Sequence, residues 1–250
     1  SQFIALQPEE IDSERGVIKE ELRTRDGASL RAQNDMIRNL FKGTIYEQRN
    51  LIGYLEGLES FDQQALVNFY HKWYRPEYQA IVVVGDVDVD QIEAKLKTIF
   101  ADVPAAENPR QKEYYQLPQN QEPIVGIITD AEATGSNIEV LWKGEPLPKE
   151  FGNTVEGYMI DLVKSYVYYI MQERFGDITS KPGAPFLGAS LGVSRLCATC
   201  EGVFANVSFK DGDAVNAFAA MMLEVEKMKR FGFTDGEVER AKAKIMSHYE

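Results

Sequence analysis

Residues 62–87 read DQQALVNFYHKWYRPEYQAIVVVGDV. Asp62, or Ser60 just before it, is placed to cap a helix carrying Leu66, Phe69, Tyr70 and Trp73. A short polar side chain there accepts from an amide that the first helical turn leaves without a partner. Pro76 stops the helix, because proline drives the residue before it out of the helical region. Gln79–Val84 is short, β-branched and continuous, which predicts a strand buried on both faces, closed by Gly85-Asp86. Asp88 or Asp90 then caps a further helix, with Ile92, Leu96, Ile99 and Phe100 at helical spacing.

Upstream, Pro8 suits the first turn of a helix, and Glu9 and Glu10 complement its dipole. That helix runs to about Thr24, with Ile11, Ile18 and Leu22 on one face, and ends before Asp26-Gly27. A second covers Ser29 to Phe41 with Leu30, Ile37, Leu40 and Phe41 inward, and Lys42–Leu58 reads as a long loop with short helical turns.

Downstream, residues 105–121 are polar and proline-rich and read as a linker. Strands at Ile124–Thr129 and Asn137–Trp142, with a turn around Thr134-Gly135, read as an antiparallel hairpin. There follow a helix from Thr154 to Phe175, strands at Phe186–Val193 and Val203–Phe209, and a helix from Asp213 to Phe231 capped by Gly232. Thr234-Asp235-Gly236-Glu237 is a capping box that opens the last helix. Strands and helices are segregated, which predicts α+β two-layer lobes with antiparallel-dominated sheets and not a doubly wound parallel sheet. A lone strand at Gln79–Val84 needs backbone partners, from strands of the second lobe or from another copy of the chain in a homodimer through exposed edges.

The net charge of −12 and the absence of a basic stripe exclude a phosphate-backbone binder. No stretch approaches the ~18 consecutive apolar residues of a membrane span. The two cysteines exclude a disulfide scaffold. They form one CxxC, Cys197-Ala198-Thr199-Cys200, between two predicted strands. A structural zinc site needs four ligands, so the pair reads as small buried hydrophobes. The chain opens on Ser1, and its last helix carries no stop signal, so a piece of a longer protein is expected.

Ser13-Glu14-Arg15-Gly16-Val17-Ile18-Lys19-Glu20-Glu21-Leu22 lies within the first helix. Glu14 and Glu21 are two turns apart on one face, ~10 Å at 1.5 Å per residue. Both cannot bind one ion directly, since Zn–O distances are ~2.0–2.2 Å. One can be a ligand with the other further out, or the segment is simply a charged surface helix.

ERGVIKEE resembles the distal-glutamate helix of the pitrilysin/insulinase family of zinc metallopeptidases. So do the FYHKWYRP helix end with its strand closing in Gly85-Asp86-Val87, and the helix start Gly232-Phe233-Thr234-Asp235-Gly236-Glu237. The order and spacing of these segments carry the resemblance over nearly the whole chain. It implies α+β lobes of the metallohydrolase type seen in mitochondrial processing peptidase. Residues 1–104 would be the C-terminal part of the active-site lobe, 105–121 the linker, and 122–250 most of a second lobe truncated at its C-terminus. It also implies that Glu21 is the third zinc ligand, with Glu20 the alternative if the register slips, and that Glu14 lies in the outer shell around the metal.

The family's H-x-x-E-H motif supplies two histidine ligands and the glutamate base, and it is not in this sequence. The two histidines, His71 and His248, are far apart and outside any such motif. The general base is therefore expected before Ser1, no catalytic residue lies in this chain, and the substrate-binding arginine and tyrosine of the other half fall beyond Glu250. The implied parent is a zinc endopeptidase that encloses peptides in a chamber, with Zn2+ bound there but not in this fragment. Its partners would be peptide substrates and the remaining halves of the parent, and a bacterial envelope or periplasm is the favoured compartment. The alternative is a non-catalytic, chamber-forming half of the same family.

Overall fold

The computed structural model describes residues 4–49, 53–105 and 109–249. By packing, the chain divides into one unit of residues 1–38 with 45–113 and a second of residues 39–44 with 114–250.

Helices make up the first unit: α1 (Pro8–Arg25), most of α2 (Ala28–Leu40), α3 (Leu55–Ser60), α4 (Gln63–Trp73) and α5 (Val89–Ile99). Pro8 opens α1, and Ile11 is its buried residue. Asp62 caps α4 by accepting from the Ala65 amide at 2.7 Å, and Asp88 caps α5 through the Gln91 amide at 3.0 Å. Arg15 braces α1. Its guanidinium donates to the carbonyls of Leu58 and Phe61 and lies 3.9 Å from the centre of the Phe61 ring. Lys19 adds an ion pair to Glu59 at 2.7 Å.

On α4, Phe69 is 53% exposed, while Tyr70 beside it is buried. A sequence expectation fails in this unit. Gln79–Val84 enters no strand among the described residues, and Val82 and Val84 are 81% and 91% exposed. The β-branched run predicts what would fit a pleated surface, but a strand forms only where a second backbone lies beside it.

The second unit holds the sheet. Strands β1 (Ser136–Gly144), β2 (Gly188–Cys197) and β3 (Cys200–Phe209) form an antiparallel sheet in the order β1-β3-β2. β1 lies against β3 from Ser136↔Phe209 to Gly144↔Glu201. The expected hairpin between residues 124–129 and β1 does not form: residues 124–129 are not in a strand, and Val125 and Ile127 are 81% and 87% exposed. β1 is an edge strand whose partner is β3. Gly192 lies opposite Phe204, and the Phe204 ring is 2.5 Å from where a Cβ on Gly192 would stand, so this position admits no side chain without displacing the ring.

Helices α6 (Val155–Thr179), α7 (Ala214–Phe231) and α8 (Asp235–Tyr249) complete the unit. α6 continues a turn beyond the expected end at Phe175, with Thr154 as its cap. Alternate strand residues face the helices: Ile138 and Val140 of β1, Ala189 and Leu191 of β2, Ala205 and Val207 of β3. They close on Met171 and Phe175 of α6 and on Ala217, Met221 and Val225 of α7. The architecture is α+β, an antiparallel sheet with its helices packed on one face.

Gly232, with φ +67°, ends α7, and the capping box then opens α8. The Glu237 carboxylate accepts from the Thr234 amide at 2.8 Å and takes a two-pronged bond from Arg174 of α6 at 2.6 and 3.0 Å. Chiefly the Arg174 hydrogen bonds, helped by Thr234 and opposed by burial, hold the Glu237 carboxyl down to about 2. A depressed acid stabilises the fold fully above its unfolded pKa of ~4.3, and that stability drains away as pH falls towards the folded value. Glu237→Gln should cost about 2 kcal/mol at pH 7, less than the whole shift implies because the pair keeps some water contact. Urea titrations should show the two proteins converging between pH ~5 and pH 2. A constant difference across that window would contradict the assignment.

Candidate functional site

The one segment carrying metal-ligand character by sequence is α1. Its glutamates fall where helical spacing puts them, with Glu14, Glu20 and Glu21 all exposed. Glu21, in the last turns, pairs with Arg25 at 2.6 Å, and Glu20 pairs with Arg23 at 2.9 Å. The bracing contacts of Arg15 and Lys19 to residues 58–61 fix the rotation of α1 about its axis, and hence the side on which Glu14 and Glu21 project. In the sequence, Arg15 stands only as part of a motif. No local pattern reveals a brace to a carbonyl 43 residues away.

The residues present do not make a metal centre by themselves. Among the described residues no three His, Cys, Asp or Glu side chains gather as ligands. His71 lies exposed on α4, edge-on to Tyr70 at 5.6 Å, and His248 near the end of α8, edge-on to Tyr249. The two histidines belong to different units.

The FYHKWYRP segment has a structural task. Arg75 is 7% exposed, donates to the Arg110 carbonyl at 2.8 Å and lies over the Tyr78 ring, while the Tyr78 hydroxyl donates to the same carbonyl at 2.6 Å. In the second unit, a concavity of about 400 Å³ between the ends of α6 and α7 is lined by Arg174, Asp177, Lys181, Glu224 and Lys227. Its charges are of both signs, with Lys227 held by Glu224 at 2.6 Å, and it brings no nucleophile or ligand set together. No helix among the described residues is long and apolar enough to cross a membrane.

Comparison with known proteins gives the fold its relatives. Residues 60–245 match the family model described as the peptidase M16 inactive domain. The match starts after α1, so it does not reach Glu14 or Glu21. A protein of Arabidopsis thaliana named zinc protease PQQL-like is 28% identical over 227 residues, covering 90% of this chain and 23% of that protein. The crystal structure of the periplasmic protease PqqL from Escherichia coli superposes with a TM-score of 0.78 at 23% identity, over 97% of this chain and 26% of that one. The crystal structure of the first half of the same protease gives 0.77, with 51% of that half covered. The chain spans about a quarter of the length of the curated relatives it matches most fully. With the model covering most of its length and the solved relatives sharing its fold, the chain belongs to the pitrilysin/insulinase family, peptidase M16.

Proposed function

We propose that this chain is part of a zinc-dependent metalloendopeptidase that cleaves peptides in an enclosed chamber. Residues 1–104 form the end of its active-site lobe, residues 105–121 the connection, and residues 122–250 most of the next α+β lobe. Glu21 is the ligand this chain brings to the zinc, and Glu14 shapes the field around it. The observation that carries the reading is the braced helix α1, which presents the ERGVIKEE glutamates on an exposed face in a chain of this family. The partners are the remaining halves of the parent and its peptide substrates. The periplasm is the proposed compartment, supported by the periplasmic relative of Escherichia coli.

A second reading has its own support. The matching model describes an inactive domain, and Glu21 is engaged by Arg25. On that reading the parent lacks a metal, and this chain is a wall of the chamber or a surface for a partner. The presence or absence of H-x-x-E-H in the parent sequence, followed by metal analysis of the purified parent, separates the two.

Both readings predict that the chain alone hydrolyses no peptide above the buffer rate, since it holds one ligand and no general base. A fluorogenic peptide assay on repurified chain checks this. Chelator-sensitive cleavage that follows the protein through repurification would contradict it.

A further inference from the structure

The CxxC left unused by the proposed function is reorganised by the fold. β2 and β3 are longer than the sequence suggested and meet in a two-residue turn, Ala198–Thr199, which brings Cys197 and Cys200 directly opposite each other in the strand register. We propose that Cys197 and Cys200 form a reversible dithiol–disulfide site at the tip of the β2–β3 hairpin.

Opposed residues of an antiparallel pair have Cα atoms ~4.5–5.5 Å apart, with side chains on the same face. A disulfide needs ~4.4–6.8 Å between Cα atoms, so the backbone already stands at bonding range. The Cβ atoms of such a pair are ~4.5–5.5 Å apart, at or just beyond the ~3.5–4.5 Å a disulfide takes up. Closing the bond therefore needs only a small inward shift of the two Cβ atoms, and the folded hairpin holds them near that range where an unfolded chain does not. Among the described residues no third ligating side chain joins the pair, which removes a closed zinc site as the alternative use.

The two thiols have different exposure. Cys197 is half-buried, with its Sγ 3.4 Å from the Thr199 hydroxyl, and Cys200 is 3% exposed. Burial first, then the neighbouring Cys197, pushes the Cys200 thiol up. Cys197 is thus the attacking sulfur and Cys200 the resolving one. With a small-molecule disulfide as oxidant, the Cys197 thiolate attacks one sulfur and expels the first thiolate. Cys200 then loses its proton to water and attacks the Cys197 sulfur of the mixed disulfide, expelling the second. Two protein thiols lose two electrons and two protons, and the oxidant becomes two thiols. The turn so closed carries Thr199, whose hydroxyl donates to the Tyr115 carbonyl at 2.6 Å, so oxidation stiffens the clasp on the start of the second unit.

The whole chain, fully reduced, is equilibrated with glutathione buffers of rising oxidised fraction, quenched by alkylation and weighed. The chain has two cysteines, so the products are few. The expected product is a monomer about 2 Da lighter with neither thiol alkylated, restored by excess reduced glutathione. It should form at a lower oxidised fraction in the folded chain than in urea. Cys200→Ser should accumulate the glutathione adduct on Cys197, while Cys197→Ser should stay largely unmodified. Persistence of both thiols, a stable adduct on the unaltered chain, a chain-to-chain disulfide, or closure no easier folded than unfolded would each overturn the proposal.

Discussion

In the parent protein, Glu21→Gln should strip most of the zinc and lower peptide turnover by more than ~100-fold, beyond the ~10–100-fold that partners outside the ligand shell typically cost. The amide keeps the size and helical preference of the glutamate and removes only the charge. The Arg25 pair does not protect against this result. Glu21 and Arg25 are 46% and 61% exposed, and an exposed pair of this spacing contributes ~0.3–0.5 kcal/mol. Zinc in a complete protein site is held by far more, ~10–16 kcal/mol in small zinc domains, so the metal displaces the arginine wherever the other ligands are assembled. Glu14→Gln should act more weakly, because ~10 Å of helix separates it from an ion held by Glu21. Zinc content by atomic spectroscopy distinguishes ligand loss from a lost substrate contact. If Glu21→Gln keeps both zinc and activity, Glu20 becomes the residue to test. If neither substitution changes zinc content or activity, α1 does not supply the ligand; a parent that binds no zinc at all is of the non-catalytic kind.

What the sequence disclosed follows the range of each interaction. The caps at Asp62 and Asp88 and the capping box at Thr234–Glu237 were legible, because each joins residues three apart in the chain. Helix α1 and its glutamates were legible too, through spacing and through a family pattern. Strand partners were not. The β-branched runs at 79–84 and 124–129 look like strands by composition, yet β1 found its partner in β3, more than fifty residues on. Pairing is a property of two segments, and a pattern reads only one. The same reason hid Arg174–Glu237, whose partners lie 63 residues apart, and the facing cysteines, whose separation depended on where β2 ended. The zinc ligation proposed for Glu21 is the least legible part, because one helix can offer a carboxylate but a metal site needs several ligands brought together.

Phe175→Ala should destabilise the second unit by ~3–5 kcal/mol, a large share of the ~5–15 kcal/mol that holds a domain. Phe175 is 1% exposed on α6, and its ring meets Phe186 edge-on with centres 6.2 Å apart, inside the cluster that joins the sheet to α6 and α7. Truncation loses the transfer energy of the ring and leaves a cavity whose walls come from three elements and cannot all move in. The edge-to-face contact adds ~0.5–1.5 kcal/mol beyond burial. Phe231→Ala is the matched control: the same residue type at the end of α7, but 81% exposed, so its change should stay within ~0.5 kcal/mol. The chain has two tryptophans, Trp73 in the first unit and Trp142 on β1 in the second. In a Trp73→Phe background, Trp142 fluorescence therefore follows the second unit alone through a urea titration, which avoids treating two units as one transition. Equal, small shifts for the two phenylalanines would mean that α6 does not lie on the sheet as described. A large shift for Phe175 alone makes this contact the anchor of the lobe.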